Sequence, residues 1–418
     1  MSRSKTTPVI IVGGGIGGLS TALALSLRGR PVHVIERAPE FGEIGAGIQL
    51  APNALHVLAE LGVLDRALQD VVYPECALLM DALTGERIAE LDFGSEFRRR
   101  YGQPYVVTHR GDLLAALVDG CRARSDLITL ETGKTVIDVT VVDGRGRVEC
   151  TDGSVYEAPL VVGADGLWSV VRGFVLRDGP PRCTGDVAYR GAVPIDLVPN
   201  ASAERATMTW WIGPKMHLVQ YPVRRGELFN QVGVFTSDRF DADADPMSQD
   251  WGTPLELDLR FDRMVERVRT SAALLNRDMR WPLFDRRPAT TWTRGPITLV
   301  GDAAHPMLQY LAQGGCQALE DAAALGRGIQ LHGNDLGAAL AYYERERIER
   351  ASKAQVWARR VGEIVHGDGL LALLRNALLS SLPPTDLRYV DWLYAGGSRR
   401  DSVVVPGLTV PSPSASRA

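Results

Sequence analysis

Cysteine is scarce in this chain of 418 residues: Cys76, Cys121, Cys150, Cys183 and Cys316 are scattered and form no Cys-x-x-Cys pair. An odd, dispersed set excludes a disulfide framework and argues against a cysteine zinc site. Long hydrophobic runs are missing too. Stretches such as Val9–Val12 and Leu160–Gly163 fall far short of a bilayer span. Nor is there a surplus of one charge: 46 Lys and Arg stand against 50 Asp and Glu, a net charge of −4. That balance gives no reason to expect nucleic acid or an anionic membrane as an obligatory partner. The opening MSRSKTTPVIIVGGG has a few basic residues and a short apolar run, but the run ends in glycines rather than a cleavage site. It is not read as a signal peptide, and a reducing cytoplasm is the expected home.

What is present is an α/β pattern. Pro8 to Val12 is a compact apolar strand, Gly13 to Gly18 a glycine loop, Leu19 to Leu27 an Ala/Leu-rich helix, and Val32 to Glu36 a second strand. Together they form a β-α-β unit. A helix is expected from Pro52 to Leu61, with proline at its start and Gly62 after its end. Leu78 to Phe93 reads as a hairpin turning at Thr84-Gly85, Arg110 to Ala123 as a helix, and Thr135 to Tyr156 as a three-stranded meander. Leu160 to Asp165 is a further buried strand running into a loop.

The character changes between Pro181 and Leu283. Strand-like runs with aromatics appear at Thr207–Ile212, His217–Pro222 and Leu228–Thr236, followed by an acidic surface stretch, Asp238–Asp250. The α/β style then returns. The expected fold is a discontinuous Rossmann-like domain (residues 1–74, 100–180 and 283–335). A β-sheet substrate domain (75–99 and 181–282) interrupts it. Helices follow over 336–395, then a Pro/Ser-rich tail over 396–418.

The loop Gly13-Gly14-Gly15-Ile16-Gly17-Gly18 carries G-x-G-x-x-G spacing. The first glycine, Gly13, permits a tight turn. Gly15 lets backbone approach a pyrophosphate, and Gly18 lets helix and strand pack closely. The helix start, at Ile16, then offers free N–H groups and a partial positive charge. Glu36 ends the second strand, placed to accept hydrogen bonds from a ribose. Arg37 follows it and is counted with the cofactor positions, although a solvated arginine is the plainer reading. Glycine loops also serve packing alone; here the strands, helix and terminal acid all fit a dinucleotide.

The stretch GDAAHPMLQYLAQGGCQALEDA, residues 301–322, separates FAD from a nicotinamide dinucleotide. A plain dehydrogenase needs no second Gly-Asp loop and helix so far along the chain. FAD does, because it is long. Asp302 could accept from its ribityl hydroxyls, and a helix opening at Gly314-Gly315 could direct its positive end at the flavin, an effect worth ~0.3–2 kcal/mol. The alternative is a structural corner whose aspartate is a cap.

These segments, with Gly163-Ala164-Asp165-Gly166 between them, resemble the single-component FAD-dependent aromatic hydroxylases, which include para-hydroxybenzoate and salicylate hydroxylases. The motifs run in family order from residue 13 to residue 322. The resemblance implies the glutathione-reductase-like fold of para-hydroxybenzoate hydroxylase. It implies contacts of Asp165 and Arg172 with FAD and a transient nicotinamide cofactor, and cofactor roles for Arg110 and Gln49, either of which serves equally as an ordinary helix-edge polar residue; Val136 is counted with the cofactor positions. The third motif departs from the commonest family form by carrying Gln309 and Cys316. Gln309 resembles the 3-hydroxybenzoate 6-hydroxylase branch, which also has His and Tyr four residues apart on a substrate-domain strand. Here those are His217 and Tyr221, on one face of a strand. An isolated strand histidine is usually structural, but this combination marks His217, Gln309 and Tyr221 as catalytic candidates. His305 and Cys316 are read as structural.

The implied reaction uses NADH (NADPH as the alternative) and O₂. Oxygen moves through a flavin hydroperoxide onto a phenolic aromatic acid, 3-hydroxybenzoate giving 2,5-dihydroxybenzoate (gentisate). A salicylate- or 6-hydroxynicotinate-type hydroxylase is the alternative within the family, and a non-oxygenating FAD reductase the alternative outside it. The expected partners are small molecules. The long charged helix after Leu336 serves equally a homodimer contact or a solvated scaffold.

Overall fold

A computed structural model describes residues 8–42, 46–198, 206–248 and 250–396. The expected tail lies outside them except for Gly396. A six-stranded sheet runs in the order Thr293–Arg294, Ile297–Leu299, Val161–Gly163, Val9–Val12, Val32–Ile35, Ile128–Glu131. All neighbours are parallel except the first pair. Helices cover such a sheet, so its strands read as unbroken apolar runs, and Val9–Val12 is buried throughout. Helix Ile16–Ser26 follows the glycine loop directly and packs on helix Gly314–His332. The two motif segments, almost three hundred residues apart, are therefore neighbours.

A seven-stranded sheet forms the second layer system, in the order Trp281–Asp285, Arg182–Pro194, Leu228–Thr236, Met216–Val223, Thr207–Gly213, Cys76–Asp81, Arg87–Asp92. The early hairpin joins this sheet because Cys76–Asp81 pairs in parallel with Thr207–Ile212. Alternation along each strand divides its residues between two faces. One face buries Tyr189, Trp211, Met216, Leu218 and Phe235 against helices Pro254–Phe261 and Glu266–Ala272. Those helices were not expected in a stretch read as β-rich. The first is announced in the sequence by a capping box, Thr253 to Glu256, with proline inside its first turn.

The other face buries Ala188, Ile212 and Val234 against Tyr310 and Val365. Val365 ends the long helix Leu336–Val365. This helix packs along Gly314–His332 and reaches the second sheet at its C-terminus. Close passage there needs glycine at 362, where a Cβ would come within 2.6 Å of the Tyr310 ring.

Candidate active site

The glycine loop divides its three key positions between packing and access. Gly13 has φ +109°, and a Cβ there would lie 2.3 Å from the Ala164 carbonyl oxygen. At Gly18 a Cβ would lie 1.9 Å from the Gly13 oxygen, so both positions are closed by backbone. Gly15 faces open space, with nothing within 4 Å of an added Cβ. That is the arrangement an approaching pyrophosphate needs at the start of helix Ile16–Ser26. Glu36 sits beside the loop: its carboxylate accepts from Gly14 N at 2.6 Å and Ala38 N at 2.8 Å. Arg37 is exposed, and Val136 is partly buried at the start of strand Val136–Val142.

Asp302 follows the buried strand Ile297–Leu299. Protein surrounds it on most sides, and this burial pushes its carboxyl above the usual range against the pull of His305 and Arg110. The residue is nonetheless exposed, as befits the floor of a cleft. A Cβ on Gly314 would lie 3.8 Å from its Oδ1, and one on Gly315 would lie 3.0 Å from Ile48 and 3.6 Å from Ile16. Thus Ile16, Asp302, Gly314 and Gly315 converge. The donor set fits FAD: an open backbone approach for phosphate, acids for hydroxyls, and a helix N-terminus beyond.

A buried ionic network fixes this wall. His305 Nε2 meets Asp321 Oδ2 at 2.5 Å, and the same oxygen accepts from Gly301 N at 2.9 Å. Arg347 donates to Asp321 at 2.8 Å and to Glu320 at 2.5 Å, and Arg350 adds a bond to Glu320 at 2.6 Å. Burial alone would raise both acids. The arginines overcome it for Glu320, which is held at about 2, and His305 with Arg347 keeps Asp321 below the usual range. The expected structural part for His305 agrees with this geometry.

Asp165 is differently engaged. Its oxygens accept from Ser169 Oγ at 2.5 Å and from Val170 N at 2.8 Å, capping helix Val170–Leu176. Arg172, 1% exposed, donates to the Ala303 and Ala304 carbonyls at 2.8 Å each. It ties the middle motif to the Asp302 loop. Cys316 is buried, its thiol pushed by burial to about 12, which makes it an inert filler. Gln49 accepts from the Tyr105 hydroxyl at 2.7 Å.

His217 and Tyr221 share the sheet face opposite Met216 and Leu218. Tyr221 reaches the first core, where a Cβ on Gly47 would lie 2.8 Å from its hydroxyl. Gln309, in the turn Gln309–Leu311, accepts from Arg190 Nη2 at 3.3 Å. Arg190 stands on strand Arg182–Pro194, opposite Val232, which in turn pairs with Val219. Its row therefore lies between those of His217 and Tyr221. Its charge lowers the Tyr221 hydroxyl, though burial raises that group more. Sequence reasoning missed Arg190. The signal was available: the strands spanning 182–194, 207–213, 216–223 and 228–236 contain only two cations, Arg182 and Arg190. His366 was missed as well. Its Nε2 is 2.8 Å from His217 Nδ1.

Fold and site define a flavin-binding protein in which a Rossmann-type cradle adjoins a sheet face carrying His217, Tyr221 and Arg190. The chain belongs to the FAD binding domain family, which it matches over residues 6–358. It is 38% identical over 395 residues to 3-hydroxybenzoate 6-hydroxylase 1 of Aquipseudomonas alcaligenes, with 92% of this chain and 97% of that protein covered. It is also 38% identical over 403 residues to 3-hydroxybenzoate 6-hydroxylase of Klebsiella oxytoca, with 94% and 97% covered. Among solved structures it resembles HpxO of Klebsiella pneumoniae complexed with FAD and uric acid, with a TM-score of 0.79 at 27% identity over 92% of this chain and 95% of that one. It is a single-component, FAD-dependent aromatic monooxygenase. Among the described residues no helix is long and apolar enough to cross a membrane.

Proposed function

We propose that the chain hydroxylates 3-hydroxybenzoate para to its hydroxyl, giving 2,5-dihydroxybenzoate, with NADH as reductant and O₂ as oxygen source. FAD, when bound, supplies the oxygen chemistry; the protein binds, orients and deprotonates. Gly15 and the start of helix Ile16–Ser26 would hold the pyrophosphate, Glu36 the ribose, and Asp302 the ribityl hydroxyls.

The observation that carries the substrate assignment is one sheet face bearing His217, Tyr221 and Arg190, with Gln309 joined to it through Arg190. A phenol, with a free pKa near ~10, is activated by losing its proton as the ring is attacked. Burial, then the neighbouring His366, holds His217 well below its ordinary value, so it is neutral at pH 7 and can accept. With Nδ1 committed to His366, Nε2 is the atom that would receive the phenolic proton. Gln309 would hydrogen-bond the same oxygen. Arg190 offers a guanidinium for the carboxylate, and it lies over the Trp281 ring at 5.4 Å, which restrains its plane. Tyr221 would orient the ring from the other end.

The test is an NADH-oxidation screen of the purified yellow protein with 2-, 3- and 4-hydroxybenzoate and 6-hydroxynicotinate, followed by product analysis. Expected is fastest consumption with 3-hydroxybenzoate, with one gentisate formed per O₂. Catechol plus CO₂ from salicylate, or O₂ consumed without any hydroxylated product, would overturn the assignment.

A further inference from the structure

His217 is 1% exposed, and its ring packs among Trp210, Tyr310 and His366. A lone imidazole in that setting is a poor proton acceptor, because the cation it would become is shut away from water. His366 does not make that ring more basic, but it offers a second exit for a proton. His366 follows the last turn of helix Leu336–Val365 and is only partly buried. Its Nε2 lies 2.8 Å from His217 Nδ1, and its Nδ1 lies 3.5 Å from Thr236 Oγ1. Thr236 donates to Asp186 Oδ1 at 2.6 Å, and Tyr310 donates to Asp186 Oδ2 at 2.9 Å. The buried ring thus touches the partly buried one directly, and Thr236 continues the contact to Asp186.

We propose that His366 is the positioning residue behind His217: it fixes His217 in the Nδ1–H tautomer and relays the phenolic proton toward solvent. The proposal rests on the reading of His217 as the phenol's base. The step balances without another reactant. The substrate O–H bond breaks and a bond to His217 Nε2 forms. The His217 Nδ1–H proton passes to His366 Nε2, and the His366 Nδ1 proton leaves toward Thr236 and water. Reversing the sequence returns a proton to the product oxygen. Burial disfavours a cation at His366 as well, and its place at a helix C-terminus, whose partial negative charge favours a cation, offsets part of that cost. Among charged and titratable neighbours, Asp186 favours the cation, while Arg260 and Arg375 oppose it. Arg260 is itself paired with Asp238, and Tyr310 faces both imidazoles.

The tests use the FAD-loaded enzyme and two substitutions. His366→Gln places an amide oxygen where it can accept from His217 Nδ1, but it cannot relay a proton. His366→Leu can do neither. Nitrogen NMR of ¹⁵N-histidine-labelled protein should find His217 protonated at Nδ1 in the native enzyme and in His366→Gln, and redistributed toward Nε2–H in His366→Leu. Both variants should lose about 10- to 100-fold in turnover with whichever aromatic acid the native enzyme accepts, with KM changed less than about threefold. Added imidazole should restore part of the rate in His366→Leu. A native His217 carrying its proton at Nε2 would overturn the proposal, as would His366→Gln with native turnover and an unchanged pH profile. If His217→Ala is fully active, the base assignment fails separately. The tautomer measurement still decides whether His366 orients that ring.

Discussion

His305 and His217 are equally buried, each 1% exposed, yet their partners differ in kind. His305 is bound to a carboxylate that two further groups already hold, Gly301 N and Arg347. His217 is bound to a second imidazole that reaches toward solvent. An imidazole inside a closed ionic network is a strut, because moving its proton unbalances every charge around it. An imidazole bound to another imidazole can exchange a proton at small cost, since the two have the same intrinsic affinity for it. The difference separates the wall of the cofactor cleft from the chemistry beside it: His305 lies in the loop after strand Ile297–Leu299, whereas His217 stands within strand Met216–Val223.

The sharpest way to break the comparison is to exchange stability for rate. Asp321→Asn leaves Arg347 and Glu320 in an unbalanced buried network and should cost about 3–5 kcal/mol of stability. Urea unfolding of the holoenzyme would measure it, with weakened FAD retention alongside. Molecules that keep FAD should turn over normally. His217→Ala should do the reverse: turnover about 10²- to 10⁴-fold lower, FAD content intact, unfolding little changed. If Asp321→Asn lowers turnover per bound FAD as far as His217→Ala does, the two histidines do not divide the work as described.

Arg190 offers a smaller contrast, between charge used for structure and charge used for recognition. Arg347 is held between two buried acids, and Arg190 stands on the sheet face of His217 and Tyr221, where it reaches Gln309. Arg190→Met should raise KM for 3-hydroxybenzoate about 10- to 100-fold, and far less for the uncharged 3-hydroxybenzamide, equivalent to a loss of ~1.4–2.7 kcal/mol in binding. Equal changes for the two compounds would show that Arg190 does not read the carboxylate.

The parts of this site differ in how far the sequence announces them. Gly13, Gly15, Gly18 and Glu36 lie within one β-α-β unit, so local spacing reveals them. His217 and Tyr221 are equally local, sharing a strand face. The partners that give those residues meaning are not: His366 is 149 positions from His217, and Arg190 is 119 from Gln309. Only the pairing of strands and the full length of helix Leu336–Val365 bring them together. Asp165 reads as a cofactor contact, and nothing near it in sequence shows that its oxygens meet Ser169 and the first residues of helix Val170–Leu176. The capping box at Thr253 was legible and would have revealed a helix.

Acidity sharpens the comparison next. Burial, and then Arg260 and Arg375 against Asp186, bring His366 down to about 4, below its ordinary value near ~6.5. The unfolded chain therefore binds more protons there between those values. The contribution is fully present above pH ~6.5 and is lost as the pH falls toward about 4, with a slope of at most about 1.4 kcal/mol per pH unit for one group. His366 is partly exposed and realises only part of that. His366→Gln should flatten stability against pH in this window. Glu320, held at about 2, and Asp321, also depressed, lose their contributions only in stronger acid, below their unfolded values near ~4. Acid unfolding should therefore have two limbs, with the substitution removing part of the upper one alone.

The smallest effect belongs to the two strand-end aspartates, which repeat the comparison in carboxylates. Asp165 follows Val161–Gly163 and gives its oxygens to Ser169, Val170 and Val171; Asp302 follows Ile297–Leu299 and faces the cleft. Asp165→Asn keeps one acceptor, so it should cost about 0.5–2 kcal/mol, the range for a weakened helix cap. Because Arg172 in that helix holds the Ala303 and Ala304 carbonyls, the damage should reach the Asp302 loop and weaken FAD binding a few-fold. Asp302→Ala, which removes a group facing the cleft, should weaken FAD binding more while leaving unfolding of the FAD-free protein nearly unchanged. Flavin-fluorescence titration beside urea unfolding separates the two. A larger FAD loss in Asp165→Asn than in Asp302→Ala would reverse which aspartate supports the cradle and which one meets its guest.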